Sequence, residues 1–427
     1  MGPCVDDFIL DLYVVRNMTI LCAVRTVKRR VGPLVSFHLG GNILDLALPE
    51  ELASFRDMLA RFVDRELIPL ESKLGDDETL PAAERKAITA KAKEAGLWLL
   101  DLPEELGGAG LGALGMVVFW EEISRTTALP ARDQSIFGPA VGPILAGLTG
   151  DLAERYRDPV CRGEKQTCFA QTEPDAGADP RGIRTRAVRK GEHYVVNGTK
   201  RFITHAEKAD FAQVMVKTPA EDGGKGKITC LLVDMGTPGV KITARHRTMM
   251  GDAPCEITFE NVRVPVGNRV GDEGQGFALA QKWINLGRIR HAARACGVAR
   301  RCIELTARYA TQRRTFGEPL AERQSLQWAL ADSQTELHAT QLMTRQAAWK
   351  LDRGEDIRLE SYMIKVYGDE MGFRVADRCM QFHGGMGLTL DLPIQRMWRD
   401  QRSFMITEGP SEVMRMAIAR RVLEECV

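Results

Sequence analysis

The hydrophobic period of this chain changes twice, and that pattern restricts the folds open to it more than any single residue does. Leu52, Phe55, Leu59, Phe62, Val63 and Leu67 recur at helical spacing up to a proline stop at Pro69. A second helix is expected from near Pro81 to a cap at Gly96, and a third over 116–124, after a glycine-rich loop at 106–112. From about Cys168 the spacing shortens to that of strands. Residues 194–204 read as two short strands about an Asn197-Gly198 turn, a strong short-range hairpin signal. Further strands are expected at 211–217, 228–234, 240–244 and 255–259, separated by Gly, Pro and Asp. Helical periodicity returns after Gly276 and holds to the end, with long segments at 292–311 and 324–350. This order predicts a β domain between two helical ones.

The boundaries follow from those changes: an N-terminal α-helical domain over 43–165, a middle β domain over 166–272 and a C-terminal α-helical domain over 273–427. A chain of 427 residues, 44% of them hydrophobic, can bury more than one core. The glycine run at 106–112 follows no clear strand and lies in no βαβ pattern, so it is not read as a dinucleotide loop. Residues 1–42 differ from the rest. Their apolar run is broken by Asp11, Arg16 and Asn17, and Lys28, Arg29 and Arg30 follow it instead of preceding it. That is neither a membrane span nor a secretory signal. The basic, acid-free stretch at 18–42 is weakly like an organellar presequence, but the arm is read as disordered or as a non-native extension, and the protein as cytoplasmic.

Charge and cysteine usage exclude several classes of function. With 58 basic and 57 acidic residues the formal net charge is +1, which argues against nucleic acid as the main partner. The ten cysteines are scattered, with no paired spacing, so free thiols are expected and neither disulfides nor a metal site. Cys296 and Cys302 fall in an apolar helical stretch and read as core.

The last fifty residues carry the chemistry. Gly384, Gly385 and Gly387 offer positive φ and close backbone approach to a flat or anionic group. Downstream, Glu408-Gly409-Pro410 interrupts the helical pattern and Ser411 can cap the next helix, which puts Glu408 on a loop between two helices. An acid on such a loop can enter a cavity as a general base. A second cluster stands earlier, Phe169-Ala170-Gln171-Thr172-Glu173-Pro174-Asp175-Ala176-Gly177-Ala178-Asp179.

Together the two clusters resemble the acyl-CoA dehydrogenase family, with Asp391, Arg396 and Asp400 at that family's intervals after the glycines. The likeness runs from about Leu48 to the C-terminus. It implies an α+β multidomain fold: a helical N-terminal domain, a middle β-barrel or sandwich, and a C-terminal four-helix bundle. It also implies FAD as cofactor and an acyl-CoA substrate. Electron-transferring flavoprotein is the implied acceptor, and a homodimer or homotetramer the implied assembly.

Carried residue by residue, the resemblance makes Glu408 the base that removes the α proton of the thioester as hydride leaves the β carbon for flavin N5, giving a trans-2-enoyl-CoA. Thr172 and Thr204 match hydroxyls at the flavin ring, with Phe169 and Gln171 beside it and Phe202 at the aromatic position packed against it. Arg313, Phe316 and Gln324 match residues that reach the FAD of a neighbouring subunit, and Gln381 and Gly385 match the adenine and diphosphate end. Arg288 matches a CoA contact. Thr407, beside the base, is smaller than the tyrosine of some straight-chain enzymes and hints at room for a branched, cyclic or bulky acyl group. A minority of relatives place the base on the helix of Arg288, at the position of Gly287 here, so Glu408 is the candidate that remains. Gln171, Ala178, Asn285, Pro410 and Glu412 depart from the family pattern. Two other readings keep the same fold: an acyl-CoA oxidase or flavin monooxygenase, and a non-catalytic flavoprotein that serves assembly or binding.

Overall fold

The computed structural model of the protein describes residues 47–75, 77–129, 135–219 and 226–426. The arm expected over residues 1–42 lies outside the described residues. The chain divides into two compact units. One holds the chain up to Phe137, Arg288–Thr407 and the stretch from Met414, and the other holds Gly138–Gly287 and Glu408–Val413.

The first unit is helical. Its α1 spans Glu50–Phe62 and buries Leu52, Phe55, Met58 and Leu59, the face marked by the sequence spacing. Pro69 does not stop the helical path. The backbone passes into a π-helical turn at Val63–Leu67 and then a 3-10 turn at Ile68–Lys73 that takes Pro69 into its start. Proline has no N–H to donate and is tolerated in the first turn of a helical segment, so a change of helical type just before it lets the chain continue. Next, α2 spans Ala82–Glu94 and gives way to Gly96 at φ 72°.

The following helix, α3 (Ala113–Ile123), is buried on nearly every side. Buried acids need partners: Glu121 accepts from the Gln341 amide at 2.6 Å, and Glu122 lies 2.6 Å from the Arg300 guanidinium. The first N–H groups of α3, from Ala113 and Leu114, donate to the Asp352 carboxylate at 2.6 and 2.9 Å. The remaining long helices are α4 (Gly276–Gln312), α5 (Gln324–Asp352), α6 (Arg358–His383), α7 (Ile394–Phe404) and α8 (Ser411–Glu425). From Arg288 onward α4 belongs to this unit. There Ala295, Cys296, Ala299 and Cys302 share a core with Leu337 of α5, Met371, Val375 and Cys379 of α6, and Ile394 and Met397 of α7. Cys296 and Cys302 are thus core residues, and every described cysteine is a free thiol.

The second unit is built on one eight-stranded sheet: β1 (Thr167–Ala170), β2 (Arg186–Lys190), β3 (His193–Ile203), β4 (Phe211–Thr218), β5 (Lys227–Asp234), β6 (Val240–Arg245), β7 (Cys255–Pro265) and β8 (Arg269–Val270). The order is β6-β7-β3-β2-β4-β5-β8, with β1 also beside β4. Tyr194, Val196, Val214, Leu231, Ile257 and Phe259 are among its core residues.

The expected hairpin at Asn197-Gly198 is not formed. β3 runs unbroken through this pair between β2 and β7, and the register against β7 slips between Val196 and Gly198. Gly198 has φ 148°, a Cβ there would run into Thr185, and Asn197 Oδ1 accepts the N–H of Asn261 at 2.9 Å. Asn-Gly suits a β-bulge as well as a turn. The hairpin closes instead at Gly191-Glu192, between the paired Lys190 and His193, with Gly191 at φ 60°.

Candidate active site

The loop that leaves β1 is held from behind by a buried ion pair. Lys200 on β3 donates to the Gln171 carbonyl at 2.9 Å, and its Nζ lies 2.8 Å from Glu173 Oε1. Glu173 also accepts the N–H groups of Arg184 (2.6 Å) and Thr185 (3.0 Å). Arg201 N–H donates to the Thr172 carbonyl at 2.8 Å. One cluster therefore locks the Gln171-Thr172 turn to the end of β3, where Phe202 follows. Burial pulls Lys200 down to about 8, which leaves it charged at neutral pH. Burial pushes the Glu173 carboxyl up, but the Lys200 charge and the hydrogen bonds outweigh it and hold the group below its ordinary value. Lys200→Met would strand Glu173 in the interior, and a loss of about 3–5 kcal/mol is expected from the midpoint of urea unfolding. The two residues are far apart in sequence, and no local pattern pairs them.

Phe202 is 56% exposed and sits at φ 58°, with its ring centroid 5.1 Å from that of His246. A bulky side chain in the left-handed region costs roughly 1–3 kcal/mol and persists only where its surroundings impose it. The hydroxyls of Thr172 and Thr204, both half-buried, bond to no other described residue. Phe169 stacks on Trp283 of α4, with centroids 5.5 Å apart and planes 5° from parallel. Trp283 in turn packs where a Cβ on Gly142 would strike it. Nothing in the sequence pattern singled out Trp283.

Glu408 follows α7 by a short turn in which Ile406 and Thr407 donate N–H bonds to the Ser403 carbonyl at 3.0 and 3.1 Å. The backbone then turns left-handed at Glu408 (φ 56°) and Gly409 (φ 108°), and α8 begins on Ser411 itself, so Ser411 is a first-turn residue and not the cap. This kink swings the half-buried Glu408 side chain onto α4. Its Oε2 is buried where a Cβ on Gly287 would lie. The position that lacks a side chain on α4 is thus the position the carboxylate covers. Glu408, Gly287, Phe169, Gln171, Thr172, Phe202 and Thr204 all belong to the second unit.

The other expected site residues belong to the first unit. Arg288 is buried, with its guanidinium 4.9 Å from the centre of the Tyr362 ring, unlike a solvated helix residue. The Thr407 hydroxyl donates to the Ser403 carbonyl at 3.3 Å. Arg313, Gln324, Gln381 and Gly385 are exposed. Phe316 is 98% exposed at φ 53°, in the turn between two short strands, β9 (Arg314–Thr315) and β10 (Glu318–Pro319), 5.8 Å from the Arg323 guanidinium. Of the three expected positive-φ glycines only Gly384 (φ 59°) is one. Gly385 and Gly387 lie in a 3-10 turn, where a Cβ on Gly387 would press on the Met380 carbonyl at 2.7 Å.

Comparison with known proteins bears on the family and the domain order. The N-terminal, middle and C-terminal domains of the acyl-CoA dehydrogenases match residues 49–164, 168–262 and 274–423 in order. The mitochondrial short-chain specific acyl-CoA dehydrogenase of Mus musculus is 34% identical over 379 residues, 88% of this chain and 91% of its own. The caffeyl-CoA reductase-Etf complex subunit CarC of Acetobacterium woodii is 32% identical over 382 residues, 88% of this chain and 99% of its own. A solved glutaryl-CoA dehydrogenase of Mycobacterium smegmatis, in complex with FADH2, matches with a TM-score of 0.77 at 26% identity, over 88% of this chain and 95% of that one.

The chain belongs to the acyl-CoA dehydrogenase family, and so to the oxidoreductases that act on CH–CH groups. FAD is the cofactor of this family. Among the described residues no helix is long and apolar enough to cross a membrane.

Proposed function

We propose that this chain performs α,β-dehydrogenation of an acyl-CoA thioester, with Glu408 as the base. The observation that carries the proposal is the Glu408 carboxylate itself, turned by a left-handed kink onto the bare backbone of Gly287. A backbone that adopts a costly conformation to aim an acid at one place suits an acid with a task there. In this reading Glu408 takes the α proton, and its own N–H is the chain's donor to the thioester oxygen, where negative charge develops. FAD, when bound, supplies the hydride acceptor at N5 for the β hydrogen.

The residues present fit a flavin. Phe202 offers an exposed aromatic face, Thr172 and Thr204 offer uncommitted hydroxyls, Phe169 stands on β1 and Gln171 on the fixed loop that leaves it. We assign Arg288 to the CoA portion and Thr407 to the acyl side. Arg313, Phe316 and Gln324 are assigned to the FAD of a neighbouring subunit in a homodimer or homotetramer, and Gln381 and Gly385 to its adenine and diphosphate end. The near-complete exposure of Phe316 in strained backbone supports a partner surface there. The division at 43–165, 166–272 and 273–427 is proposed with it, each part enclosing one of the matched domains. Arg313→Ala should raise the FAD Kd about tenfold or more, the loss of one charge-assisted contact of roughly 1.5 kcal/mol, and lower the oligomer fraction in sedimentation together. Unchanged FAD occupancy would remove the two-chain site.

The same groups run in reverse: a protonated Glu408 returns the proton to the α carbon of an enoyl-CoA. The reductase named among the relatives favours testing that direction too. The direction in use depends on the electron partner, for which electron-transferring flavoprotein is proposed. The test is anaerobic: oxidised protein is mixed with straight, branched and aryl acyl-CoAs, reduced protein with the matching enoyl-CoAs, and flavin absorbance is followed. Bleaching or reoxidation with one class supports the reading and names the acyl group. FAD-loaded protein inert to every member in both directions overturns it.

A further inference from the structure

Three helices of the first unit meet around a buried ion pair that has no direct part in the proposed reaction. Lys365 on α6 is 1% exposed, and Asp369, one turn further along the same helix, is 0% exposed. Their charged atoms lie 2.5 Å apart. The Lys365 ammonium donates a second bond, also of 2.5 Å, to the main-chain carbonyl of Phe404, the last residue of α7. The Phe404 ring is held as well. Its centroid lies 4.4 Å from that of His291 on α4, and the Arg294 guanidinium stands 5.8 Å from it. His291 Nδ1 in turn lies 3.7 Å from the Asp369 carboxylate. Small residues on α6 permit this approach, for a Cβ on Gly368 would press on Ala292 of α4 and one on Gly372 would strike the Gln401 amide of α7. All of these residues belong to the first unit.

A buried ion pair is a poor device for stability alone, since an apolar pair of the same volume does as well or better. What an apolar pair cannot do is bond to the Phe404 carbonyl. The last four carbonyls of a helix have no partner within it. Were α7 to continue, the Phe404 carbonyl would take the N–H four residues on, which is that of Glu408. The ammonium meets this oxygen from outside the helix, and its charge suits the negative end of the helix dipole. So α7 can stop at Phe404, Ile406 and Thr407 bond back to Ser403, and the chain enters the left-handed kink at Glu408.

We propose that Lys365, oriented by Asp369, is a positioning residue for the reaction: it pins the end of α7 and thereby sets where the turn delivers Glu408. The proposal rests on the assignment of Glu408 as the base. Lys365 acts through the backbone and not on the substrate. Without its bond the Phe404 carbonyl is a buried acceptor in need of another donor, and the last turn of α7 must rewind or fray to find one.

The test removes both charges together, in full-length, FAD-loaded Lys365→Met/Asp369→Leu, because either change alone leaves one buried charge unpaired. Hydrogen exchange, followed by mass spectrometry, should speed up at least about tenfold at the Ile406 and Thr407 amides, the worth of one charge-assisted hydrogen bond, while the amides of α5 keep their parent rates. Anaerobic bleaching by the acyl-CoA that reduces the parent fastest should slow about tenfold at saturation, less than the roughly 10²-fold of a full 1 Å displacement, with FAD occupancy and the half-saturating acyl-CoA concentration unchanged. Unaltered exchange at Ile406 and Thr407 would overturn the proposal. So would bleaching within about twofold of the parent rate, or a loss of rate matched by a loss of FAD, which marks a pair that only supports the fold. A parent inert to every acyl-CoA would remove the assignment of Glu408 alone, and exchange would still decide whether Lys365 pins the turn. Should the variant not fold, the parent decides: its Ile406 and Thr407 amides should be as protected as those in the middle of α7, and exchange about 10²-fold faster there would show an end that nothing pins.

Discussion

Glu408→Gln is expected to keep its FAD while the rate of anaerobic flavin bleaching by an acyl-CoA falls about 10²–10⁴-fold, the range that a positioned general base contributes. The amide has the shape of the carboxylate. It can take the same left-handed kink and lie on the same bare backbone at Gly287, so folding and cofactor binding should not change. What disappears is a proton acceptor, and an α proton next to a thioester is too weakly acidic to leave without one. The reverse reaction must fall by the same factor, because a catalyst changes both barriers of one transition state equally. Stopped-flow absorbance in the two directions checks both statements. A variant that still bleaches within about tenfold of the parent rate would mean that the proton goes elsewhere, since general-base catalysis is worth at least about 10².

Where a segment's structure is decided by its neighbours in sequence, the chain could be read directly. The helical stripe of α1, the cap at Gly96 and the strands β4 and β5, buried almost throughout, are of this kind. So is the placing of Glu408 between two helices, because Gly409 and Pro410 interrupt the pattern. Readings failed where two structures share one local signal. Asn197-Gly198 satisfies a turn and a bulge equally, and the choice lies with the pairing of β7 from Cys255 onward. Pro69 could end a helix or start a 3-10 turn, and a π turn ahead of it allowed the second. The parts of the site that escaped notice are contacts across long sequence separations. The Lys200–Glu173 pair behind the Gln171-Thr172 turn and the Trp283 ring under Phe169 have no periodicity to betray them. The family resemblance supplied roles for Phe202 and Thr172. The strain at Phe202, and the lattice of hydrogen bonds that fixes its position, belong to the fold.

In the proposed reaction Gly287 lies behind the base, and Gly287→Ala should slow flavin bleaching about 10²-fold, the usual cost of displacing a catalytic group by about 1 Å. Glycine inside a 37-residue helix is unfavourable on its own terms, by about 1 kcal/mol against alanine. Its presence therefore points to a neighbour that needs the space, and that neighbour is the Glu408 carboxylate, whose Oε2 a Cβ would strike. The added methyl gives α4 a better helix former, so stability should hold or rise, and FAD should stay bound. Only the base must move. A double-mutant cycle separates this from a general disturbance. If the methyl acts through Glu408, then adding Gly287→Ala to Glu408→Gln should cost little beyond Glu408→Gln alone, whereas independent effects would multiply. Bleaching at the parent rate in Gly287→Ala would show that the acid works from a position clear of α4, and the contact seen here would then have no part in the reaction.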